Sequence, residues 1–256
     1  MVIVKKRLGQ HWLKDEATLA AIAEAAKLSQ ADTVLEIGPG LGHLTKHLLQ
    51  QAKQVIAVEI DKNLAKDLSN KFDDRRFYLH QGDILKFDLS QLPTDYKVVA
   101  NIPYYLTSNL LRVLSESASP PVAMTLLVQK EVAQRICAAP GQMSLLSVSV
   151  QLYYDCQLGQ VIPAKLFTPP PKVDSQIVVL QRHPKPLFHD LDSQKFFRIV
   201  KAGFSERRKK LRSSLSGGLG LSKAGMDELL GKAKINGDLR AQNLSLQDWY
   251  KIHSIF

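Results

Sequence analysis

The fold of this chain is decided by the stretch Val34-Leu-Glu-Ile-Gly-Pro-Gly-Leu-Gly42. Its first residues are apolar, as in a buried strand, and the glycines that follow let the backbone turn sharply into a helix. Because glycine has no Cβ atom, a ligand can approach such a loop closely. A strand, a glycine loop and a helix in succession are typical of nucleotide-binding α/β folds. The stretch therefore predicts a parallel sheet with a ligand site at its carboxyl edge.

Short strands alternate with helical patterns on both sides of this loop. The predicted helices are Asp15–Leu28, Gly42–Gln50 and Lys62–Asn70, and the predicted strands are Thr33–Ile37, Gln54–Val58, Arg76–His80, Tyr96–Ala100 and Val122–Val128. Such alternation indicates a doubly wound, mostly parallel sheet. Two β-rich runs between Cys156 and Gln181 flank Thr168-Pro-Pro-Pro-Lys172 and predict an antiparallel pair at the end of the sheet.

The last quarter of the chain has a different pattern. Two prolines in Arg182-His-Pro-Lys-Pro186 predict a linker. Helices are then predicted at Ser193–Phe204, Ser205–Leu215, Ser222–Leu230 and Leu246–Phe256, with Gly217-Gly218 as a break between the middle two. We therefore expect a catalytic α/β domain at residues 1–184 and a small helical domain at residues 185–256.

The excess of positive charge is concentrated in this helical part. The chain has a net charge of +10, and residues 182–256 contain 15 Lys and Arg against 7 Asp and Glu. Residues 1–181 contain 19 against 17. A concentrated excess favours a polyanionic partner, either a nucleic acid or an anionic membrane surface, over a basic surface that only aids solubility.

Composition indicates a globular cytoplasmic protein. No apolar run approaches the roughly 20 residues that cross a bilayer, so no membrane association is expected. The amino-terminal MVIVKKRLGQHWL lacks the apolar stretch of a secretory signal. Two cysteines suggest neither a disulfide framework nor a metal cluster. A monomer is the expected state, because no feature of the sequence indicates an obligate oligomer.

Two carboxylates and the glycine spacing narrow the choice of ligand. Glu36 precedes the first glycine, and the spacing G-x-G-x-G resembles the first motif of class I S-adenosylmethionine methyltransferases. A nicotinamide-dependent oxidoreductase would favour G-x-G-x-x-G. Glu59, at the end of the next strand, is positioned to accept hydrogen bonds from both ribose hydroxyls, with Ile60 against the adenine. The alternative for Glu59 is a solvated acid at a strand end.

Among the acidic residues that follow Glu59, one is predicted to contact the ligand and two are predicted to lie at the surface. Asp83, in Gln81-Gly-Asp-Ile-Leu85, suits the amino group of the cofactor adenine, with Ile84 beside the ring. Asp61 and Asp88 are expected at the surface.

Asn101-Ile-Pro-Tyr104 follows an apolar strand and predicts the catalytic site. The exocyclic amine of adenine is a poor nucleophile, because its lone pair is delocalised into the ring. The Asn101 side-chain oxygen and the Ile102 or Pro103 carbonyl can accept its two N–H bonds and favour a tetrahedral nitrogen. Tyr104 can stack on the extracted base. Neither a general base nor a metal is required. The alternative is a turn with a core tyrosine.

Several spaced motifs resemble the ribosomal RNA adenine dimethyltransferases over nearly the whole chain. They are Lys6–Leu13, Glu36–Gly42, Glu59–Asp61, Gly82-Asp83, Asn101–Tyr104, Gln129–Arg135 and Phe167–Ser175. The resemblance implies a Rossmann-like class I domain with a seven-stranded sheet, plus a small helical carboxyl-terminal domain. It also implies that S-adenosylmethionine contacts His11, Leu13, Gly38, Glu59, Asp83 and Asn101.

Two aromatic residues belong to the same resemblance. Phe167 resembles a second wall for the target base opposite Tyr104, with a core residue that steadies the proline run as the alternative. Trp12 stands where the family usually has Phe, and we expect only a local effect on packing.

The carboxyl-terminal sequence resembles the small-subunit branch of the family, the kasugamycin-sensitivity type. This branch dimethylates two adjacent adenines near the 3′ end of small-subunit RNA, whereas the other bacterial branch modifies one large-subunit adenine. The predicted phosphate-binding cluster is Arg207, Arg208, Lys209, Lys210 and Arg212, with a solvated helix face as the alternative. The expected partner is small-subunit RNA or its precursor particle. A ribosome-assembly factor that acts mainly by binding remains a rival.

Overall fold

A computed structural model describes residues 10–256 of the chain. These residues form two compact units. The first comprises the residues up to Gln134 together with Tyr154–Arg182, and the second comprises Arg135–Tyr153 together with His183–Phe256. The prediction about a secretory signal and the first residues of the Lys6–Leu13 motif lie outside the described residues. No helix within residues 10–256 is long and apolar enough to cross a membrane.

A seven-stranded sheet organises the first unit. The strands of this unit are β1 (Trp12–Leu13), β2 (Thr33–Ile37), β3 (Gln54–Glu59), β4 (Phe77–Gln81), β5 (Lys97–Asn101), β6 (Ala123–Gln129), β7 (Tyr154–Ile162), β8 (Phe167–Thr168) and β9 (Ser175–Arg182). The large sheet has the order β4-β3-β2-β5-β6-β9-β7. All pairs from β4 to β6 are parallel, whereas β9 is antiparallel to both β6 and β7. The predicted Rossmann-like, mostly parallel sheet with an antiparallel end is therefore confirmed.

Helices connect most of the parallel strands, as the alternating pattern predicts. The connections are α2 (His43–Gln51), α3 (Lys62–Lys71) and α4 (Thr107–Glu116), whereas α1 (Glu16–Ala25) precedes β2 and α5 (Lys130–Ile136) follows β6 and continues into the second unit. Asp15 is the N-cap of α1. Its side-chain carboxylate accepts the Thr18 N–H at 2.9 Å, which satisfies one of the free donors of the first turn.

The prediction that Asp61 lies at the surface is wrong. Asp61 is only 5% exposed and is the N-cap of α3. Its side chain accepts the Asn63 N–H at 3.0 Å, because a short carboxylate at this position folds back onto the open helix terminus. Asp88 is exposed, as predicted, and caps the short turn at Leu89–Gln91.

The order of the strands defines the place where a ligand can bind. The chain goes from β2 to β3 and β4 on one side, whereas β5 and β6 lie on the other side of β2. In open α/β sheets, the crevice at the carboxyl ends of two such neighbouring strands binds ligands. The glycine loop follows β2, and Asn101 is the last residue of β5. The two main predicted motifs therefore meet at this crevice.

A second, two-stranded sheet joins distant segments of the first unit. β1 pairs with β8 in antiparallel register, Trp12 opposite Thr168 and Leu13 opposite Phe167. The His11 ring adds a hydrogen bond from its Nδ1 to the Pro169 carbonyl oxygen, 2.7 Å apart. Leu13 and Phe167 are buried in the core of this unit. The proline run therefore holds the segment before α1 in place.

The second unit is helical, as predicted. Its helices are α6 (Leu145–Gln151), α7 (Ser193–Phe204), α8 (Leu211–Leu219), α9 (Lys223–Lys232) and α10 (Leu246–Ile255). Apolar residues from all of them, including Val148, Phe196, Leu215, Leu230 and Trp249, form one buried cluster. This small unit therefore has a core of its own.

The predicted helix Ser205–Leu215 is wrong in its first half. Residues 205–209 form turns and bends, and α8 begins at Leu211. The Leu211 N–H donates to the Leu239 carbonyl at 2.7 Å, and the Arg212 N–H donates to the Gly237 carbonyl at 3.1 Å. Because these donors bond to another loop, the helix cannot extend back through Arg207 and Arg208.

Gly217-Gly218 does not separate two helices, contrary to the prediction. Both glycines lie within α8, which ends one residue later at Leu219. A Cβ atom on Gly218 would lie 2.6 Å from the Ala202 Cβ of α7. The close approach of the two helices therefore explains a glycine inside a helix, despite its lower helix propensity.

Candidate active site

One cavity of about 280 Å³ occupies the crevice at the carboxyl ends of β2 and β5. All the residues predicted for cofactor binding and catalysis line it: His11, Leu13, Gly38, Glu59, Asp83, Asn101, Pro103, Tyr104 and Phe167. They come from segments far apart in sequence, which the fold brings to a single site. The predicted RNA-binding residues belong to the second unit.

The glycine loop and Glu59 form one wall of this cavity. Gly38, Gly40 and Gly42 all have positive φ angles, between 59° and 75°. A Cβ atom on Gly40 would also lie 2.5 Å from Cζ3 of Trp12, so this position has no room for a side chain. The Gly40 N–H donates to Oε2 of Glu59 at 3.1 Å, and the Asp61 N–H donates to Oε1 at 2.8 Å. These bonds fix the carboxylate in the cavity wall.

Burial affects the protonation of the two glutamates in the wall. Glu59 is 4% exposed, and burial raises its pKa above the usual range while the Asp61 and Gly40 N–H groups oppose the shift. Glu36 is 1% exposed, and burial raises its pKa to about 8, with a further contribution from the nearby Glu59 charge. Its Oε2 atom has no hydrogen-bond partner among the described residues. A buried acid with one unpartnered oxygen in a cavity wall favours a positively charged ligand when it is ionised.

Another group of residues that line the cavity combines an acid with two apolar side chains. Asp83 accepts the Leu85 N–H at 3.0 Å through Oδ1, which fixes the side chain at the start of a short turn. Ile60 is 47% exposed and Ile84 is buried, and both line the cavity. A flat heterocycle between apolar side chains with a carboxylate at its edge would fit here.

The end of β5 presents the polar groups of the Asn101–Tyr104 motif. Asn101 is partly buried at the last position of the strand and opens into the cavity. The Ile102 N–H donates to the Leu127 carbonyl at 3.2 Å, which fixes the backbone beside β6. The Pro103 carbonyl accepts the Leu106 N–H at 2.9 Å. Since this carbonyl is already engaged, the Ile102 carbonyl is the better candidate for a second acceptor.

Tyr104 is held by contacts on two sides. Its hydroxyl lies 2.9 Å from the hydroxyl of Ser175, the first residue of β9. Its ring stacks against the His11 ring, with centroids 6.0 Å apart and an angle of 24° between the planes. Burial raises the pKa of Tyr104, and the Ser175 hydrogen bond opposes the shift. The ring is therefore a fixed, neutral surface of the cavity.

Phe167 combines the two positions that the sequence left as alternatives, a wall of the cavity and a residue of the core. It is 3% exposed and packs in the core of the first unit, and its ring also lines the cavity. Because β8 pairs with β1, Phe167 lies opposite Leu13, so the two residues line the cavity together.

The predicted basic cluster is an exposed loop followed by the start of α8. Three of its members form ion pairs: Lys209 with Glu206 at 2.6 Å, Lys210 with Asp238 at 3.0 Å, and Arg212 with Asp227 and Asp238 at 3.1 and 2.9 Å. Arg207 and Arg208 are exposed and have no ion pair within residues 10–256. These two guanidinium groups are therefore the members most available to an anionic partner.

Two cavity residues and one residue that contacts the cavity wall have no role assigned from the sequence. Ser175 ends the Phe167–Ser175 motif, but only the fold brings its hydroxyl to Tyr104. His43 is the first residue of α2, and burial and the Lys71 charge lower its pKa. Tyr105 follows Tyr104 directly and is exposed at the cavity. Adjacency to the motif was the only sequence signal for Tyr105.

Curated proteins similar to this chain are named as small-subunit enzymes. Residues 2–256 match the family described as Ribosomal RNA adenine dimethylase. A Ribosomal RNA small subunit methyltransferase A from Dehalococcoides mccartyi (strain CBDB1) is 43% identical over 252 residues, 97% of this chain and 87% of that protein. The protein of the same name from Thermosynechococcus vestitus is 42% identical, covering 100% of this chain and 97% of that protein.

Solved structures of similar proteins share the fold over nearly the whole chain. A dimethyladenosine transferase from Plasmodium falciparum superposes with a TM-score of 0.81 at 27% identity, covering 94% of this chain and 96% of that one. The 23S rRNA methyltransferase ErmE superposes with a TM-score of 0.77 at 28% identity, covering 95% and 98%. The family match extends over the strands, the glycine loop and the Asn101–Tyr104 motif alike. This chain belongs to the ribosomal RNA adenine dimethylase family, enzymes that take their methyl groups from S-adenosylmethionine.

Proposed function

We propose that this protein transfers methyl groups to the N6 amines of two adjacent adenosines in a hairpin near the 3′ end of small-subunit ribosomal RNA. The products are N6,N6-dimethyladenosines, and the modification contributes to small-subunit biogenesis. The observation that carries the proposal is the position of Asn101, which opens into the same cavity as the glycine loop and Glu59. The names of the curated relatives support the choice of the small-subunit RNA.

The cavity wall fits S-adenosylmethionine. Glu59 would bind the ribose hydroxyls, Asp83 the adenine amino group, and Ile60 and Ile84 the faces of the adenine ring. The buried Glu36 carboxylate would favour a cation in the cavity. His11, Leu13, Gly38 and Asn101 complete the proposed contacts. When bound, the cofactor supplies a methyl group that is activated by its attachment to a positively charged sulfur.

Asn101 and the backbone after it hold the target amine. The Asn101 side-chain oxygen accepts one N6–H, and the Ile102 carbonyl accepts the other, with Pro103 fixing the turn. Two acceptors on the same amine draw its lone pair out of conjugation and aim it at the methyl group. The amine proton becomes acidic as the N–C bond forms, and it leaves to solvent.

Two aromatic rings hold the target base itself. Tyr104 is fixed by Ser175 and His11 and provides one flat surface. Phe167 provides a second surface in the same cavity. An extracted base gains on such rings the stacking that it loses in the RNA.

The second part of the chain would position the RNA. We assign catalysis to residues 1–184 and RNA binding to residues 185–256. The basic residues Arg207, Arg208, Lys209, Lys210 and Arg212 contact phosphates. Arg207 and Arg208, which form no ion pair with another described residue, contribute most. The partner is the small-subunit RNA within a precursor particle, and the protein acts as a monomer in the cytoplasm.

A mass-spectrometric experiment separates this proposal from its rivals. The purified protein is incubated with S-adenosylmethionine and either small-subunit particles or large-subunit RNA that lack the modification, and the nucleosides are then mapped. Dimethyladenosine at two adjacent positions near the 3′ end of the small-subunit RNA is the expected result. Methylation of the large-subunit RNA alone would favour the other bacterial branch of the family, which modifies one large-subunit adenine. Tight binding to particles without any methyladenosine would favour an assembly factor.

A further inference from the structure

Tyr105 places a large aromatic ring in solvent beside the catalytic motif. It is 63% exposed, the highest value among the exposed large hydrophobic residues of the described chain. It nevertheless lines the same cavity as Asn101 and Tyr104. Exposed apolar surface of this kind, next to a binding site, favours a partner that covers it.

Tyr104 and Tyr105 are adjacent in sequence but differ in their surroundings. The Tyr104 hydroxyl is bonded to Ser175, and its ring contacts His11. No hydrogen bond or ring contact of Tyr105 is found within residues 10–256. Its side chain therefore has no evident structural role in the protein alone, and an effect of its removal would point to a ligand.

The backbone that carries Tyr105 is fixed. Residues Tyr104–Leu106 form a 3₁₀ turn, closed by the hydrogen bond from the Leu106 N–H to the Pro103 carbonyl at 2.9 Å. The Thr107 hydroxyl donates to the Tyr104 carbonyl at 3.3 Å at the start of α4. A ring presented from such a turn loses little backbone freedom when a ligand binds it.

We propose that the Tyr105 ring stacks on the nucleobase next to the adenine in the cavity and so positions the RNA strand. This inference rests on the proposed function. When one base leaves its stack, its neighbour loses a stacking partner, and a flat ring at the cavity mouth replaces that partner. In the proposed substrate the neighbour is the second adenosine of the pair. A purine offers the larger surface, so the contact also favours adjacent adenosines.

The experiment combines a protein variant with a change in the RNA. Steady-state methylation of the first adenosine is measured for wild type, Tyr105→Ala and Tyr105→Phe on reconstituted particles that carry adenosine or uridine at the second position. We expect Tyr105→Ala to raise KM for the particle about tenfold with kcat unchanged. Tyr105→Phe should restore a KM near that of wild type. The uridine should raise KM for wild type. It should have little further effect on Tyr105→Ala, because the change in the RNA and the change in the protein remove the same stacking contact.

A control variant and a cofactor-binding measurement accompany these kinetics. Tyr78→Ala removes a ring on β4 that is 54% exposed and does not line this cavity, and it should leave KM unchanged. The affinity for S-adenosylmethionine should be equal in wild type and Tyr105→Ala, and a loss of affinity would overturn the stacking role. The stacking role would also be overturned if uridine raised KM equally in wild type and Tyr105→Ala, or if Tyr105→Ala had the KM of wild type. If wild type methylates no particle, the proposed function itself fails, and this inference fails with it.

Discussion

The hydroxyl of Tyr104 lies 2.9 Å from the hydroxyl of Ser175, and this contact joins the turn after β5 to the first residue of β9. Ser175 is 1% exposed, so this contact is shielded from water. A buried hydrogen bond of this kind fixes the orientation of the ring against which the target base would stack.

Ser175→Ala should therefore weaken catalysis without changing the affinity for S-adenosylmethionine. A neutral hydrogen bond contributes about 1 kcal/mol, so we expect kcat/KM to fall about threefold to tenfold. Steady-state kinetics on small-subunit particles and calorimetric binding of S-adenosylmethionine measure the two quantities. Ser254→Ala, at an exposed serine of α10, is the matched control. Equal kcat/KM for Ser175→Ala and wild type would show that the ring needs no such support.

Cofactor affinity should increase with pH because of Glu36. Burial raises the pKa of this group to about 8, and a cationic ligand binds best to the ionised form. The ionised fraction rises about tenfold between pH 7 and pH 9, so the affinity for S-adenosylmethionine should rise by up to the same factor. Calorimetry across this range measures it.

Glu36→Gln cannot ionise, so its affinity should be nearly independent of pH over the same range. Glu24→Gln replaces an exposed acid of α1 and should keep the wild-type pH dependence. A pH dependence in Glu36→Gln that matches wild type would assign the effect to another group.

The second unit should lose stability in mild acid because of His253. Its side chain is 5% exposed, beside the rings of Phe196 and Tyr250. Burial and the Lys195 charge lower its pKa, although Asp192 opposes the shift. A histidine whose folded pKa lies below the unfolded value of about 6.5 binds more protons when unfolded. The contribution of neutral His253 to stability is therefore present above the unfolded pKa of about 6.5. It is lost as the pH falls from there toward the folded pKa.

Trp249 fluorescence in a Trp12→Phe background can report the unfolding of this unit, since the chain has two tryptophans. The melting temperature should fall between pH 7 and pH 5, and His253→Phe should reduce that fall. His189→Phe, at an exposed histidine of the same unit, should not. Identical pH profiles for His253→Phe and its parent would exclude His253 as the cause.

RNA affinity should depend on Arg207 and Arg208 more than on their neighbours. Each phosphate contact contributes roughly 0.7 to 0.9 to the slope of log K against log salt. Replacing both arginines with glutamine should therefore reduce the magnitude of the slope by about 1.4 to 1.8 and weaken binding to particles. Filter binding at several salt concentrations measures the slope. Lys232→Gln, at a lysine paired with Glu228, should have little effect. An unchanged slope for the arginine variant would make the loop an ordinary solvated surface.

Local pattern was sufficient for the sheet of the first unit. The predicted strand Thr33–Ile37 agrees with β2 at both ends, because an apolar run is followed directly by a glycine loop with positive φ angles. The antiparallel pair around the proline run was also predicted, and β7 and β9 form it. These elements depend on signals that lie next to one another in the sequence.

Features that depend on contacts between segments distant in sequence could not be predicted from the local pattern. Leu13 reaches the cavity because β1 pairs with β8, more than 150 residues away, and only the family resemblance indicated it. The start of α8 depends on carbonyls of Gly237 and Leu239. The glycine pair at 217–218 was misinterpreted because the helix that packs against Gly218 is not visible in the local sequence.

The role of Asn101 in holding the target amine is tested most directly by a single-turnover rate. Asn101→Ala is mixed with particles and enough S-adenosylmethionine to saturate the enzyme, and dimethyladenosine is followed by mass spectrometry. Loss of a preorganised acceptor for developing charge commonly costs about 10² to 10³ in rate, and we predict at least this loss, with the fold unchanged. A single-turnover rate within about twofold of wild type would contradict the proposed chemistry.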